Sequence, residues 1–170
     1  MPINIRPEET EDIEAIRRVN LDAFPQPAEA NLVDALRTNV TNCISLVAEE
    51  GEEIIGHIMF SPVELKEQRT TVKMIGLAPM AVSSAHQNKG IGSALVNEGL
   101  KVCAAQGFEV VVVLGHPAFY PRFGFMPSQP HGIKSEYDAP AEAFMILAFE
   151  ADTLDKLEGT IVFDKCFNDL

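Results

Sequence analysis

Residues 86–97 read HQNKGIGSALVN, and the reading of this stretch arranges the rest of the chain. Gly90 and Gly92 stand directly ahead of IGSALVNEGLKVCAAQG, where Ile91, Leu95, Leu100 and Cys103 recur on one broad apolar face. That spacing predicts a helix ending at Gly107, a residue suited to the left-handed turn after a C-terminus. The glycine pair has two readings. It makes a tight strand-to-helix connection, or it bares backbone N–H groups at the positive end of a helix dipole, where a phosphate or pyrophosphate is held. The familiar nucleotide loops do not decide: a dinucleotide fingerprint needs a third glycine or alanine at an offset that Ala94 does not fill. A Walker loop needs Gly-Lys-Ser/Thr, whereas Lys89 precedes Gly90.

Outward from this stretch, FEVVVVLG (108–115) is an apolar run of strand length, so strand, glycine loop, helix and strand imply a right-handed crossover between parallel strands. Upstream, ISLVAEE, a turn at Gly51, EIIGHIMFSPVEL, the polar KEQRTT and TVKMIGLAPMAV follow period two and predict three antiparallel strands over 44–82. Pro79 removes a ladder donor inside the third, which therefore bulges or parts from its neighbour there. INIRP (3–7) predicts a short strand. Residues 8–24, with an acidic first turn and Ile13, Ile16, Val19 and Leu21 near helical spacing, predict a helix. After Pro25 and Pro27, Ala30, Leu32, Val33 and Leu36 mark a second helix.

Downstream, HPAFYPRFGF is a compact aromatic turn, followed by a Pro, Gly and Ser loop and a strand in AFMILAFE (143–150). One helical turn ending at Gly159 and an edge strand about Ile161–Phe163 complete the chain, and that edge offers a route to a homodimer. The fold class is α/β: one domain with a mixed, mostly antiparallel sheet, a splayed parallel strand pair and flanking helices. Residues 3–150 form the domain proper, and 151–170 form a C-terminal extension packed on it.

The chain has 170 residues, enough for one full core, and its 46% apolar content excludes wholesale disorder. A net charge of −12 argues against nucleic-acid or anionic membrane partners, so any bound anion is held locally, and it mildly favours a cationic partner. Cys43, Cys103 and Cys166 lack C-x-x-C spacing, and no metal is expected of them or of His57, His86 and His131. Cys103 on its apolar face reads as a buried, inert thiol. Residues 1–18 contain no apolar segment of signal-peptide length, and the longest apolar run, VVVVL (110–114), is too short to span a bilayer; a cytoplasmic setting is expected.

The stretch LAPMAVSSAHQNKGIGSALVNEGL resembles the acetyl-CoA signature of the GNAT superfamily, an Arg/Gln-x-x-Gly-x-Gly/Ala loop between strand and helix, filled here by Gln87, Asn88, Lys89, Gly90, Ile91 and Gly92. FYPRFGF resembles the family's Tyr-x-x-x-Gly-Phe element at Tyr120, Gly124 and Phe125, and the GHPAFYPRFGF form is similar to a subgroup of predicted acetyltransferases of undefined substrate. The likeness covers about residues 3–150. It implies an N-acetyltransferase that uses acetyl-CoA as co-substrate, with pantetheine and acetyl along Met80, Ala81 and Val82 and the pyrophosphate on N–H groups of Gln87 to Gly92, Ser93 following. It further implies that Tyr120 protonates the departing thiolate, in keeping with a phenol of ordinary pKa near 10.

The base is less plain. Many family members carry a carboxylate on the strand before the loop, and TVKMIGLAPMAV has none. Glu29, Glu64, His116 or a water chain remain as bases, and the missing acid keeps open a non-catalytic acyl-CoA sensor or interaction module. Ser83, Ser84 and Arg122 have two readings each: contacts of the co-substrate, or loop serines that satisfy backbone groups and a solvated or salt-bridged surface arginine. The resemblance places a small-molecule or peptide amine acceptor between the first two helices, the loop 64–71 and the segment 126–140. A phosphate-binding hydrolase is disfavoured, since no Ser/His/Asp or metal constellation accompanies the loop.

Overall fold

The computed structural model describes residues 2–169; Leu170, the end of the expected extension, lies outside them. In chain order the elements are β1 (Ile3–Pro7), α1 (Ile13–Ala23), α2 (Ala28–Asn39), β2 (Ile44–Glu50), β3 (Glu53–Leu65), β4 (Met74–Val82), α3 (Ile91–Ala105), β5 (Val110–Leu114), β6 (Met126–Pro127), β7 (Ile133–Ser135), β8 (Phe144–Ala148) and β9 (Gly159–Val162). The sheet runs β1-β2-β3-β4-β5-β8-β6. Its neighbours are antiparallel except β4 and β5, which α3 joins as a parallel crossover.

Two apolar layers clothe the sheet. One face carries Ile58, Phe60, Leu77 and Val113 under Leu95, Val96 and Leu100 of α3; the other carries Val47, Met59 and Val63 under Ile16, Leu32, Val33 and Leu36 of α1 and α2. The period-two alternation of β3 serves both layers at once, which is why this strand reads apolar along most of its length. None of the described helices is long and apolar enough to cross a membrane.

A buried polar chain fastens α1 and α2 to the sheet. Asn20 and His57 are wholly inaccessible to solvent, and Asn20 Nδ2 lies 3.4 Å from His57 Nδ1. The His57 Nε2–H donates to Ser45 Oγ at 2.8 Å, Ser45 Oγ donates to Glu8, and Arg37 of α2 donates to Glu8 at 2.7 Å. Burial holds His57 neutral, with its pKa lowered to about 4.

The end of the chain departs from expectation. The helical turn is present as a 3-10 helix over Ala151–Lys156, but β9 is no edge strand. Pairing of β3 with β4 stops at Val63 and Met74, so the last residues of the long β3, Glu64 and Leu65, are free to pair with Val162 and Ile161, while β7 takes the other side of β9. Ile161 thus has a partner on each side, and Phe163, past the strand, donates its N–H to Glu136 at 2.9 Å. The edge on which a homodimer was expected is closed within the chain itself.

Candidate active site

The site exists because two strands part. β4 pairs with β5 from Met74 and Val110 to Leu77 and Val113, and no further. Beyond that point β4 stays with β3, matching Met80, Ala81 and Val82 to Ile58, His57 and Gly56 after a bulge that sets Ala78 and Pro79 against Met59. β5 instead stays with β8 out to Leu114 and Phe144. A wedge opens between them, with the free edge of β4 on one side and Leu114, a leucine 42% exposed at the end of its strand, on the other. The resulting cleft has a volume of about 1030 Å³ and runs from the start of α3 to α1 and α2.

The glycine loop forms one end. Asn88 and Gly90 take left-handed backbone angles, φ 62° and 85°, and the Gln87 side chain ties the loop to the strand by donating to the Val82 carbonyl at 3.0 Å. The first bond inside α3 runs from Ala94 N to Gly90 O, and no side chain caps this end, so the N–H groups of Ile91, Gly92 and Ser93 lack helical acceptors. The two glycines do different work. Gly90 is demanded by its backbone angle, whereas a Cβ on Gly92 would make only ordinary contacts, 3.5 Å from Met80 Cε and 3.8 Å from Phe119 Cζ. A Cβ at 92 meets no clash, and its absence leaves that space open between α3, β4 and the aromatic turn.

That turn presents Tyr120. Its ring is 8% exposed and packs edge-on against Phe119 and Phe125, with centroids 5.0 and 5.7 Å away. Gly115 lies beneath it, and a Cβ there would run into the ring. The hydroxyl has no hydrogen-bond partner among the described residues, and burial pushes the phenol up to about 12, so it stays protonated.

Met80, Ala81, Val82, Gln87, Asn88, Gly90, Ile91, Gly92, Ser93 and Tyr120 all line this one cleft, whereas Lys89 is exposed and does not. Of the expected bases, Glu29 and His116 line it; Glu64 sits at the far end of β3 opposite Val162. The loop 64–71 and the segment 126–140 contribute nothing to its walls. Arg122 does, its guanidinium stacked 5.0 Å above Phe119. Ser84 is engaged elsewhere, donating through N and Oγ to Asp22 at 2.7 and 3.0 Å. Cys103 is wholly buried, its thiol pushed up to about 12 by desolvation. Phe24, Leu32, Leu114 and Gly115 were not read as site residues from sequence: Leu32 and Leu114 stood as apolar positions of a helix and a strand, and no local pattern records that a ring rests on Gly115. No group of three or more His, Cys, Asp or Glu close enough to hold a metal occurs among the described residues.

Comparison with known proteins agrees with this architecture. Residues 4–128 match the model of an acetyltransferase (GNAT) domain. The N-acetyltransferase YhbS of Escherichia coli (strain K12) is 34% identical over 147 residues, covering 86% of this chain and 87% of the relative. A crystal structure of Escherichia coli YhbS in complex with CoA superposes with a TM-score of 0.91 at 32% identity, over 98% of this chain and 92% of that one. A GNAT family acetyltransferase from Brucella melitensis in complex with acetyl-CoA gives 0.79 at 34% identity, over 98% of each chain. With the splayed strands, the glycine loop and a domain match over most of its length, the chain belongs to the GNAT family of acetyltransferases.

Proposed function

We propose that this acetyltransferase uses acetyl-CoA and transfers the acetyl group directly to an amine. One observation carries the reading: a largely buried tyrosine, its hydroxyl without a partner among the described residues, and an uncapped helix start line the same cleft. The CoA and acetyl-CoA complexes of the two similar structures support it. The residues present fit the co-substrate. N–H groups of Gly90 to Ser93 suit its pyrophosphate, the free edge of β4 from Ala78 to Val82 suits the amides of its arm, and the bare Gly92 leaves the passage between them clear.

When bound, acetyl-CoA supplies a thioester whose acetyl carbon bonds to the amine nitrogen as the C–S bond breaks. The nitrogen gives up one proton and the sulfur gains one. Tyr120 donates to sulfur; a phenol near 12 is a weak acid in water, but the burial that raises it also raises the proton affinity of a thiolate formed beside it. Glu29 and His116 are the groups at hand for the amine proton. We place the protein in a reducing cytoplasm, a setting suited to its three free thiols.

Tyr120→Phe tests the assignment. With acetyl-CoA and an accepted amine, kcat should fall by about 10²-fold or more while acetyl-CoA affinity is unchanged; unchanged turnover removes Tyr120 from the chemistry. The absence of a carboxylate on β4 favours a second reading, a domain that senses acyl-CoA without turnover. Calorimetric binding of acetyl-CoA with no thiol released for any amine selects it.

A further inference from the structure

The cleft is polarised. At the α3 end stand the uncapped N–H groups, and Arg122 belongs with them: it stacks on Phe119, whose ring tip would meet a Cβ on Gly92 at 3.8 Å. The polar side chains Gln87, Asn88, Ser93 and His86 lie along this end as well. At the opposite end the residue after α1, Phe24, and Glu29 and Leu32 of α2 contribute. Glu29 is the sole carboxylate lining the cleft, and it enters no hydrogen bond or ion pair with the described residues. Three acids on or just ahead of these helices are engaged: Asp34 holds Arg17 and Arg37 at 2.7 and 3.0 Å, Asp22 holds Ser84, and Glu8 holds Arg37. A half-buried carboxylate left unpaired at the mouth of an apolar recess is a seat for one cation.

What surrounds Glu29 limits the rest of the guest. Phe24, Leu32 and the exposed face of Leu114 are apolar, and apart from Tyr120 and His116 this end offers no hydroxyl, amide or second acid. A polyhydroxylated amine or a peptide would be stripped of water here with nothing to replace it, and a polyamine would find one counter-charge for several cations. Resting on the acetyltransferase reading above, we propose that the acceptor is a small primary amine with a single cationic centre and an alkyl or aralkyl body, its ammonium on Glu29 and its carbon body against Phe24, Leu32 and Leu114. Glu29 takes one proton from the ammonium and passes it to solvent, leaving the neutral amine whose acetylation balances as given above. The net charge of −12 draws such a cation toward the molecule.

The test compares amines at fixed acetyl-CoA, read by free thiol release and product mass: 2-phenylethylamine and hexylamine against spermidine, kanamycin, glycine and an alanine-initiated tripeptide. The apolar monoamines should lead in kcat/KM by about tenfold or more. Glu29→Gln should raise the KM for 2-phenylethylamine by about tenfold with the acetyl-CoA KM unmoved, and Phe24→Ala should do the same in the same direction. Preference for any of the other four acceptors, rejection of both apolar amines, or an unchanged amine KM in Glu29→Gln overturns the inference. A parallel titration with acetyl-CoA separates the two levels: no binding overturns the acetyltransferase reading with it, whereas binding with another amine preference overturns the acceptor class alone.

Discussion

Gly115 and Tyr120 are five positions apart in sequence yet compete for one volume, since the tyrosine ring lies where a side chain at 115 would begin. The Gly115 N–H is fixed to the Ala143 carbonyl at 2.9 Å, so the backbone there has little freedom to retreat. Gly115→Ala should therefore move the ring and lower kcat about as much as Tyr120→Phe, while leaving acetyl-CoA affinity intact. In the double variant the second change should add almost nothing, because both act through the same hydroxyl. Steady-state kinetics of the four proteins check this; fully additive losses would show that Gly115 acts by another route.

At the scale of elements, α3 approaches the sheet closely at two glycines. A Cβ at Gly99 would stand 2.5 Å from Phe60 Cε1 and Cζ, and one at Gly56 would stand 3.1 Å from Leu95 Cδ1, so helix and strand meet through their smallest residues. Two effects oppose each other in Gly99→Ala. Helix propensity favours alanine by about 1 kcal/mol, whereas overpacking against a fully buried ring costs about 1–3 kcal/mol. Steric conflict should win, and urea unfolding should show a lower midpoint with an unchanged slope. The elements that position the cleft were legible because their signals are local: the glycine loop, the proline in β4 and the period switch from strand to α3 all lie within a few residues. β6 and β7 were not, since ladders of two and three residues inside a Pro, Gly and Ser loop leave no period to read. The closure of β9 was illegible for a different reason. It depends on β3 outrunning β4, a comparison of two strand lengths that neither strand records. The cofactor end of the site was readable from backbone-demanding residues, while Phe24, Leu32 and Leu114 were hidden as ordinary members of apolar patterns.

For the molecule as a whole, acid should be the weak direction. The pKa of His57 in the fold, about 4, lies below its unfolded value near 6.5, so as pH falls through this interval the unfolded chain binds a proton that the folded one refuses. Folding stability should drop by about 3 kcal/mol across that window. Carboxylates add a second decline with the same sign. Burial pushes Glu8 up, but hydrogen bonds from Arg37 and Ser45 outweigh it, and Arg6 holds Asp12 down, so both groups contribute stability that is lost as pH falls through the ordinary carboxylate range. Urea midpoints measured from pH 7 to 4 should fall in wild type and flatten above pH 5 in His57→Gln; a flat wild-type profile would contradict the buried neutral imidazole. Strand β9 has a consequence in time rather than in space. It follows β3 and β7 in chain order, and it slots between these two strands, both synthesised earlier. Val63 and Leu65 await Ile161, Phe163 and Phe167 to cover them, so a nascent chain carries an unfinished core until the segment up to Phe167 has emerged and packed.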